Sequence, residues 1–79
     1  MKKITLISKT DCELCDIAKS FFIKLKNDFV FDFEIVNIEN ETDLFKKYKY
    51  TIPIVLVDGI KRLQSKFTES DIIEVLQKC

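Results

Sequence analysis

Little in this chain breaks a backbone: it has one glycine and one proline in 79 residues. That scarcity leaves little room for long loops, so secondary-structure elements should follow one another closely. Histidine is absent and cysteine occurs three times, at Cys12, Cys15 and Cys79. A closed zinc site needs four nitrogen or sulfur ligands, and no such set is present within one chain. No charge of one sign prevails, because thirteen basic residues stand against thirteen acidic ones. A zero formal charge argues against a nucleic-acid partner. No apolar run approaches bilayer-spanning length, so no membrane partner is expected either. The opening Met1-Lys2-Lys3-Ile4-Thr5-Leu6-Ile7-Ser8-Lys9 starts like a signal peptide but lacks a sustained apolar region and a small-residue cleavage site. A cytoplasmic location is therefore expected, and there a structural disulfide is disfavoured while a working dithiol is not.

The hydrophobic fraction of 47% is enough for one modest core, so residues 1–79 are read as a single domain, expected to be a monomer. Its organising stretch is Asp11-Cys12-Glu13-Leu14-Cys15, where an apolar strand gives way to an amphipathic helix. Two thiols three residues apart at such a junction form a candidate redox pair. The unpaired N–H groups and positive dipole end of the helix favour a thiolate over a thiol. Cys12, earlier and more exposed, is the expected nucleophile. Cys15 lies one turn further in, within reach of a mixed disulfide formed on Cys12. The bland alternative is two small buried hydrophobes that happen to lie three apart.

Lys3–Ser8 is apolar on both faces and so reads as a central strand, with Asp11 or Cys12 capping a helix from Glu13 to about Lys26. Leu14, Ile17, Ala18, Phe21, Phe22 and Leu25 form its apolar stripe. Phe29–Ile38 reads as a second strand whose apolar parity changes after Ile35. A bulge, or a start later than Phe31, accounts for this equally well. Asn40-Glu41-Thr42-Asp43 should cap a short helix running towards Tyr48. Thr51–Val57 is the second doubly apolar strand, with Pro53 expected at its first position because proline cannot donate to a ladder. Asp58-Gly59 signals a two-residue hairpin turn into an edge strand, Ile60–Gln64, guarded by Lys61, Arg62 and Lys66. Thr68-Glu69-Ser70-Asp71 should start a last helix with Ile72, Ile73, Leu76 and Cys79 inward. Cys79 lies about eleven residues along it, roughly 16 Å from its start, and is read as an incidental thiol. The order β-α-β-α-β-β-α, with a right-handed βαβ crossover and the doubly apolar strands adjacent, gives an α/β fold. Its four-stranded mixed sheet has the order 2-1-3-4, with helices on both faces.

That order, with Cys-x-x-Cys after the first strand and Ile-Pro opening the third, resembles the thioredoxin superfamily, and within it the glutaredoxins. The likeness is carried by Ser8-Lys9-Thr10-Asp11-Cys12-Glu13-Leu14-Cys15, Lys47-Tyr48-Lys49-Tyr50-Thr51-Ile52-Pro53 and Val57-Asp58-Gly59. The resemblance implies a cis peptide bond before Pro53, facing the dithiol. It also implies that Thr51 and Ile52 bind substrate, the backbone of Ile52 pairing with an incoming cysteine as an added strand would. Lys9 matches a lysine that helps hold the carboxylate end of glutathione. Two departures stand out: Glu13-Leu14 replaces Pro-Tyr between the cysteines, and Leu63–Asp71 holds no Gly-Gly pair for the γ-glutamyl end of glutathione.

The resemblance implies a thiol–disulfide oxidoreductase in which Cys12, Cys15 and Pro53 do the chemistry on protein or glutathione mixed disulfides. Glutathione or a thioredoxin-reductase-type flavoprotein would recycle it, with no bound cofactor or metal. Asp11 and Glu13 flank the nucleophile and oppose the helix dipole, so a couple nearer thioredoxin than a strong oxidant is expected; a potential above about −180 mV would contradict this. Two other classes fit the same fold. One is a redox-inactive adaptor that recruits a partner protein. The other is a glutathione-dependent iron–sulfur or metal carrier in a dimer, which a resolving Cys15 argues against. Lys47 and Lys49 are expected on a solvated face, and Tyr48 and Tyr50 to pack in the core or at its rim.

Overall fold

The structure is a computed structural model and describes residues 2–78. Cys79, expected on the inner stripe of the last helix, lies outside the described residues. β1 (Lys2–Ser8) leads through a short loop into α1 (Glu13–Leu25), and β2 (Phe31–Asn37) follows. A 3₁₀ turn (Ile38–Asn40) and α2 (Thr42–Tyr48) come next, then β3 (Ile54–Val57), β4 (Ile60–Gln64) and α3 (Glu69–Lys78). The sheet order is β2-β1-β3-β4, as expected. β1 runs parallel to β2 and antiparallel to β3, and β3 antiparallel to β4. Among the described residues no helix is long and apolar enough to cross a membrane.

The two central strands bury opposite parities on opposite faces. Ile4 and Leu6 pair with Val57 and Val55, and with Phe31 they meet Ala18, Phe22 and Leu25 of α1 and Ile72 and Leu76 of α3. Phe22 stacks on Phe33 at 5.1 Å between ring centroids and meets Phe31 edge-on at 6.2 Å. On the other face Ile7, Ile54 and Ile38 pack with Leu44, Tyr48, Ile52 and Leu56 under α2. Alternation of side chains along a strand makes both faces apolar only where a helix covers each.

This explains the parity change in β2. Its register with β1 is unbroken from Lys2↔Phe31 to Ser8↔Asn37, so the strand has no bulge and starts at Phe31 itself. Phe31 and Phe33 face α1, whereas Ile38, just past the strand end, faces α2. Phe29 is not part of the strand: its N–H donates to the Leu25 carbonyl (2.9 Å) in the turn that ends α1. The bulge lies instead between β3 and β4, where Val55 faces Leu63 but Leu56 faces Lys61, leaving Arg62 as the extra residue.

Two further expectations are corrected. β3 begins at Ile54, one residue past Pro53, because residues 51–53 spend their backbone bonds elsewhere: Thr51 and Ile52 donate to the Tyr48 carbonyl, and Ser65 donates to Thr51 and Pro53. α2 has Glu41 at its N-cap with no side-chain bond. The side-chain cap sits one turn earlier, where Asn37 accepts from the Glu39 N–H at 2.8 Å. The hairpin is as expected: Asp58 and Gly59 have φ of 51° and 86°, the pair of positive values a type I′ turn requires. Thr68 and Asp71 form a reciprocal capping box at the start of α3 (2.8 and 3.3 Å).

Candidate functional site

Ser8, Asn37 and Ile54 end or begin their strands at one edge of the sheet, since Ser8 faces Asn37 and Ile7 faces Ile54. The loop carrying the dithiol and the loop carrying Thr51-Ile52-Pro53 therefore leave the same end of the two central strands. The Ile52–Pro53 bond is cis.

The dithiol is built by the helix start. Cys12 is the N-cap of α1, in extended conformation (φ −114°, ψ 106°), and its carbonyl accepts the Asp16 N–H at 3.0 Å. Its sulfur takes the role a serine or aspartate oxygen plays at a cap, accepting the Cys15 N–H at 3.2 Å. Cys15 falls on the inner stripe of α1 with Ala18, Phe22 and Leu25, and is buried, while Cys12 is half-buried. The two are joined as a disulfide with their α-carbons 5.2 Å apart. A half-buried cysteine at the helix tip with a buried one behind it is the arrangement needed for attack followed by resolution. Leu14 and Ile17, expected on the buried stripe, are about 40% exposed, at 42% and 40%. The buried stripe is Cys15, Ala18, Phe22 and Leu25, and Leu14, one position before Cys15, turns outward.

Asn37 and Glu39 belong to the site although nothing in the sequence marked them. Glu39 Oε1 accepts the Thr10 N–H at 2.7 Å, Asn37 Nδ2 donates to the Thr10 hydroxyl at 3.3 Å, and Asn37 Oδ1 accepts the Glu39 N–H. Hydrogen bonds from the Thr10 backbone and hydroxyl hold the Glu39 carboxyl below its ordinary range; desolvation opposes them, and the charge of Lys9 adds a lesser lowering. Lys9, which precedes Thr10, is exposed. The Asn37 Oδ1 to Glu39 N–H bond is an Asx turn, which an asparagine favours but does not by itself announce.

The second loop is fastened from both sides. The Tyr48 carbonyl accepts the N–H groups of Thr51 (2.9 Å) and Ile52 (3.2 Å). Ser65, at φ 64°, donates its N–H to the carbonyls of Thr51 (3.0 Å) and Pro53 (2.8 Å) and its hydroxyl to Thr51. The Ile52 N–H is thus already engaged, so strand-like pairing with an incoming chain would compete with Tyr48 for it. Ser65 was not distinguishable by sequence from any other loop serine.

Tyr50 corrects an expectation: it is 87% exposed, not packed, with Lys49 Nζ 5.0 Å above its ring. Tyr48 does pack on the smaller cluster, with Lys47 Nζ over its ring at 5.1 Å. A groove lined by Arg62, Leu63, Asp71, Glu74, Val75 and Lys78 lies between β4 and α3 and takes no residue from the dithiol loop. Among the described residues no three histidine, cysteine or acidic side chains come together as a metal cluster.

Comparison with solved structures gives the fold. The structural-genomics target protein XcR50 from X. campestris matches with a TM-score of 0.79 at 24% identity, over 96% of this chain and 97% of that one. Mitochondrial thioredoxin 3 from Saccharomyces cerevisiae, in its oxidized form, matches with 0.75 at 14% identity, over 99% and 78%. Glutaredoxin 1 from Francisella tularensis matches with 0.61 at 21% identity, over 99% and 100%. The fold is thioredoxin-like. The family model described as Glutaredoxin-like domain (DUF836) matches residues 3–77. That match runs through nearly every described residue, and the chain therefore belongs to the glutaredoxin-like domain family.

Proposed function

We propose that this protein is a thiol–disulfide oxidoreductase that reduces disulfides through Cys12 and Cys15. The observation that carries the reading is the disulfide between a half-exposed Cys12 at the tip of α1 and a buried Cys15 behind it. In the reduced form the Cys12 thiolate attacks one sulfur of a substrate disulfide, forming a mixed disulfide and releasing the other sulfur as a thiolate. Cys15, once deprotonated, attacks the Cys12 sulfur and releases the second substrate thiolate. Two electrons pass to the substrate, and the Cys12–Cys15 disulfide remains to be reduced. Two molecules of glutathione, or a thioredoxin-reductase-type flavoprotein, supply the electrons that return it to the dithiol.

Pro53, Thr51 and Ile52 act from the neighbouring loop, where the Ile52 backbone pairs with substrate in competition with the Tyr48 carbonyl. Lys9, in the dithiol loop, is the cation for a substrate carboxylate. The reaction needs no bound metal or organic cofactor. Protein disulfides and glutathione mixed disulfides are the two substrate classes, with the protein acting as a cytoplasmic monomer.

The test compares turnover of a glutathione mixed disulfide with turnover of a protein disulfide, each coupled to its own reductant. Cys12→Ser should abolish both. Cys15→Ser should abolish protein disulfide reduction and spare exchange through one sulfur with glutathione. No turnover of either substrate, with both thiols unchanged by mild oxidation, would leave an adaptor; colour and metal on anaerobic purification would point to a cluster carrier.

A further inference from the structure

Cys12 can act as a cap only if the chain arrives at α1 from one direction. β1 ends at Ser8, and within four residues the chain must reach an N-cap in extended conformation. Asp11 makes the turn with φ 55°, in the left-handed region that costs a residue with a side chain some strain, though aspartate less than most. Such a conformation persists only where its surroundings over-determine it. Downstream, Asp11 is held by the first turn of α1, through Asp16 N–H to Cys12 carbonyl. Upstream, the hold comes from outside the loop: Glu39 takes the amide joining Lys9 to Thr10, and Asn37 takes the Thr10 hydroxyl. The two clamping residues are tied to each other by the Glu39 N–H to Asn37 Oδ1 bond.

We propose that Glu39, steadied by Asn37, is a positioning residue for Cys12: it pins Thr10 so that Asp11 stays in its left-handed turn and the Cys12 sulfur stays on the Cys15 N–H. The inference rests on the oxidoreductase reading for its purpose, but not for its measurement. A sulfur kept on a helix N–H is favoured as thiolate, since hydrogen bonds to the charged form stabilise that form. Released from Thr10, the loop relaxes, the sulfur leaves that N–H, and less thiolate is present at neutral pH.

Two substitutions separate position from charge. Glu39→Gln keeps the length of the side chain and an oxygen for the Thr10 N–H but removes the charge. Glu39→Asp keeps the charge but is one methylene shorter. Both leave the other charges of that end in place: Lys9, Asp11, Glu13 and Asp16 beside the dithiol, and Lys47 and Lys49 ahead of Thr51. The measurement is the pH profile of Cys12 alkylation by iodoacetamide in reduced protein, read by peptide mass spectrometry so that Cys15 and Cys79 are scored apart. Glu39→Gln should follow the parent profile. Glu39→Asp should move it upward by about half to one pH unit, so that the rate at pH 7 falls roughly 3- to 10-fold. A profile unmoved in Glu39→Asp overturns the proposal, as does one that moves in Glu39→Gln. If the parent turns over no disulfide while the profiles behave as described, the oxidoreductase reading falls and the positioning role stands.

Discussion

The two faces of the sheet are held very differently. Under α1 and α3, ten buried side chains of the described residues, from the sheet and these two helices, close into one cluster, where the rings of Phe22, Phe31 and the partly buried Phe33 meet. Under α2 the buried apolar cluster among the described residues is Ile7, Ile38 and Ile54, and partly exposed side chains such as Leu44 and Tyr48 complete the cover. Further along that face, Thr5 and Lys3 bond the Glu34 carboxylate in place of apolar contacts (3.1 and 3.4 Å). Each loop of the candidate site takes one of its fastenings from residues beside the thin side, the dithiol loop from Asn37 and Glu39 flanking Ile38, and the Thr51–Pro53 loop from Tyr48 at the end of α2. The heavy face carries most of the buried apolar surface and, through α1, the dithiol itself, while residues around the thin face tie down the two loops. Loops tied outside the main core can adjust to a substrate without opening it.

The largest expected effect tests the heavy face. Phe22→Ala, at a fully buried position touching Phe31 and Phe33, should cost about 3–5 kcal/mol in urea unfolding, a large share of the roughly 5–15 kcal/mol of an ordinary domain. Ile38→Ala is equally buried but sits in the smaller cluster, which can collapse further. It should cost about 2 kcal/mol, the low end of the range, yet reduce disulfide turnover in protein that is still folded. Equal losses of stability at the two positions would break the comparison.

Smaller changes address the fastenings. Ser65→Ala removes the hydroxyl bond to the Thr51 carbonyl and leaves the backbone bonds. It should cost about 1 kcal/mol and raise KM for a protein disulfide more than it lowers kcat. The last effect is one of pH. The Glu39 carboxyl is held below its ordinary value of 4.5, so its bond to Thr10 stabilises the folded protein fully above that value and is lost as pH falls through the lowered one. The difference in urea midpoint between the parent and Glu39→Gln should therefore be present at pH 7 and shrink below about pH 4. A difference that grows on acidification would have the wrong sign for this cause.

Much of the molecule could be read along the chain because its signals are local. Ile4, Leu6 and Ile7 announce a strand covered on both faces, Asp58-Gly59 a type I′ turn, and Thr68 with Asp71 a capping box. Each depends on residues within a few positions of one another. Two cysteines one turn apart at a strand-to-helix junction could be read from their spacing, whereas the place of Cys15 on the buried stripe, with Leu14 and Ile17 turned out, came from packing. The clamp on Thr10 was invisible for the opposite reason: its partners lie 27 and 29 residues away. The same holds for Ser65, 14 residues from the carbonyl its hydroxyl reaches, and for the bulge at Arg62, which exists only relative to β3.

Periodicity and spacing, which act over one or two turns of backbone, settled the order of elements, the sheet and the junction that carries the two cysteines. Packing decided the rest: which face of β2 is covered at each end, where β3 begins, that Tyr50 stands in solvent, and which distant side chains hold the dithiol loop. Those outcomes depend on which hydrogen-bonding groups and apolar surfaces meet once the strands are side by side, and no stretch of chain contains both partners.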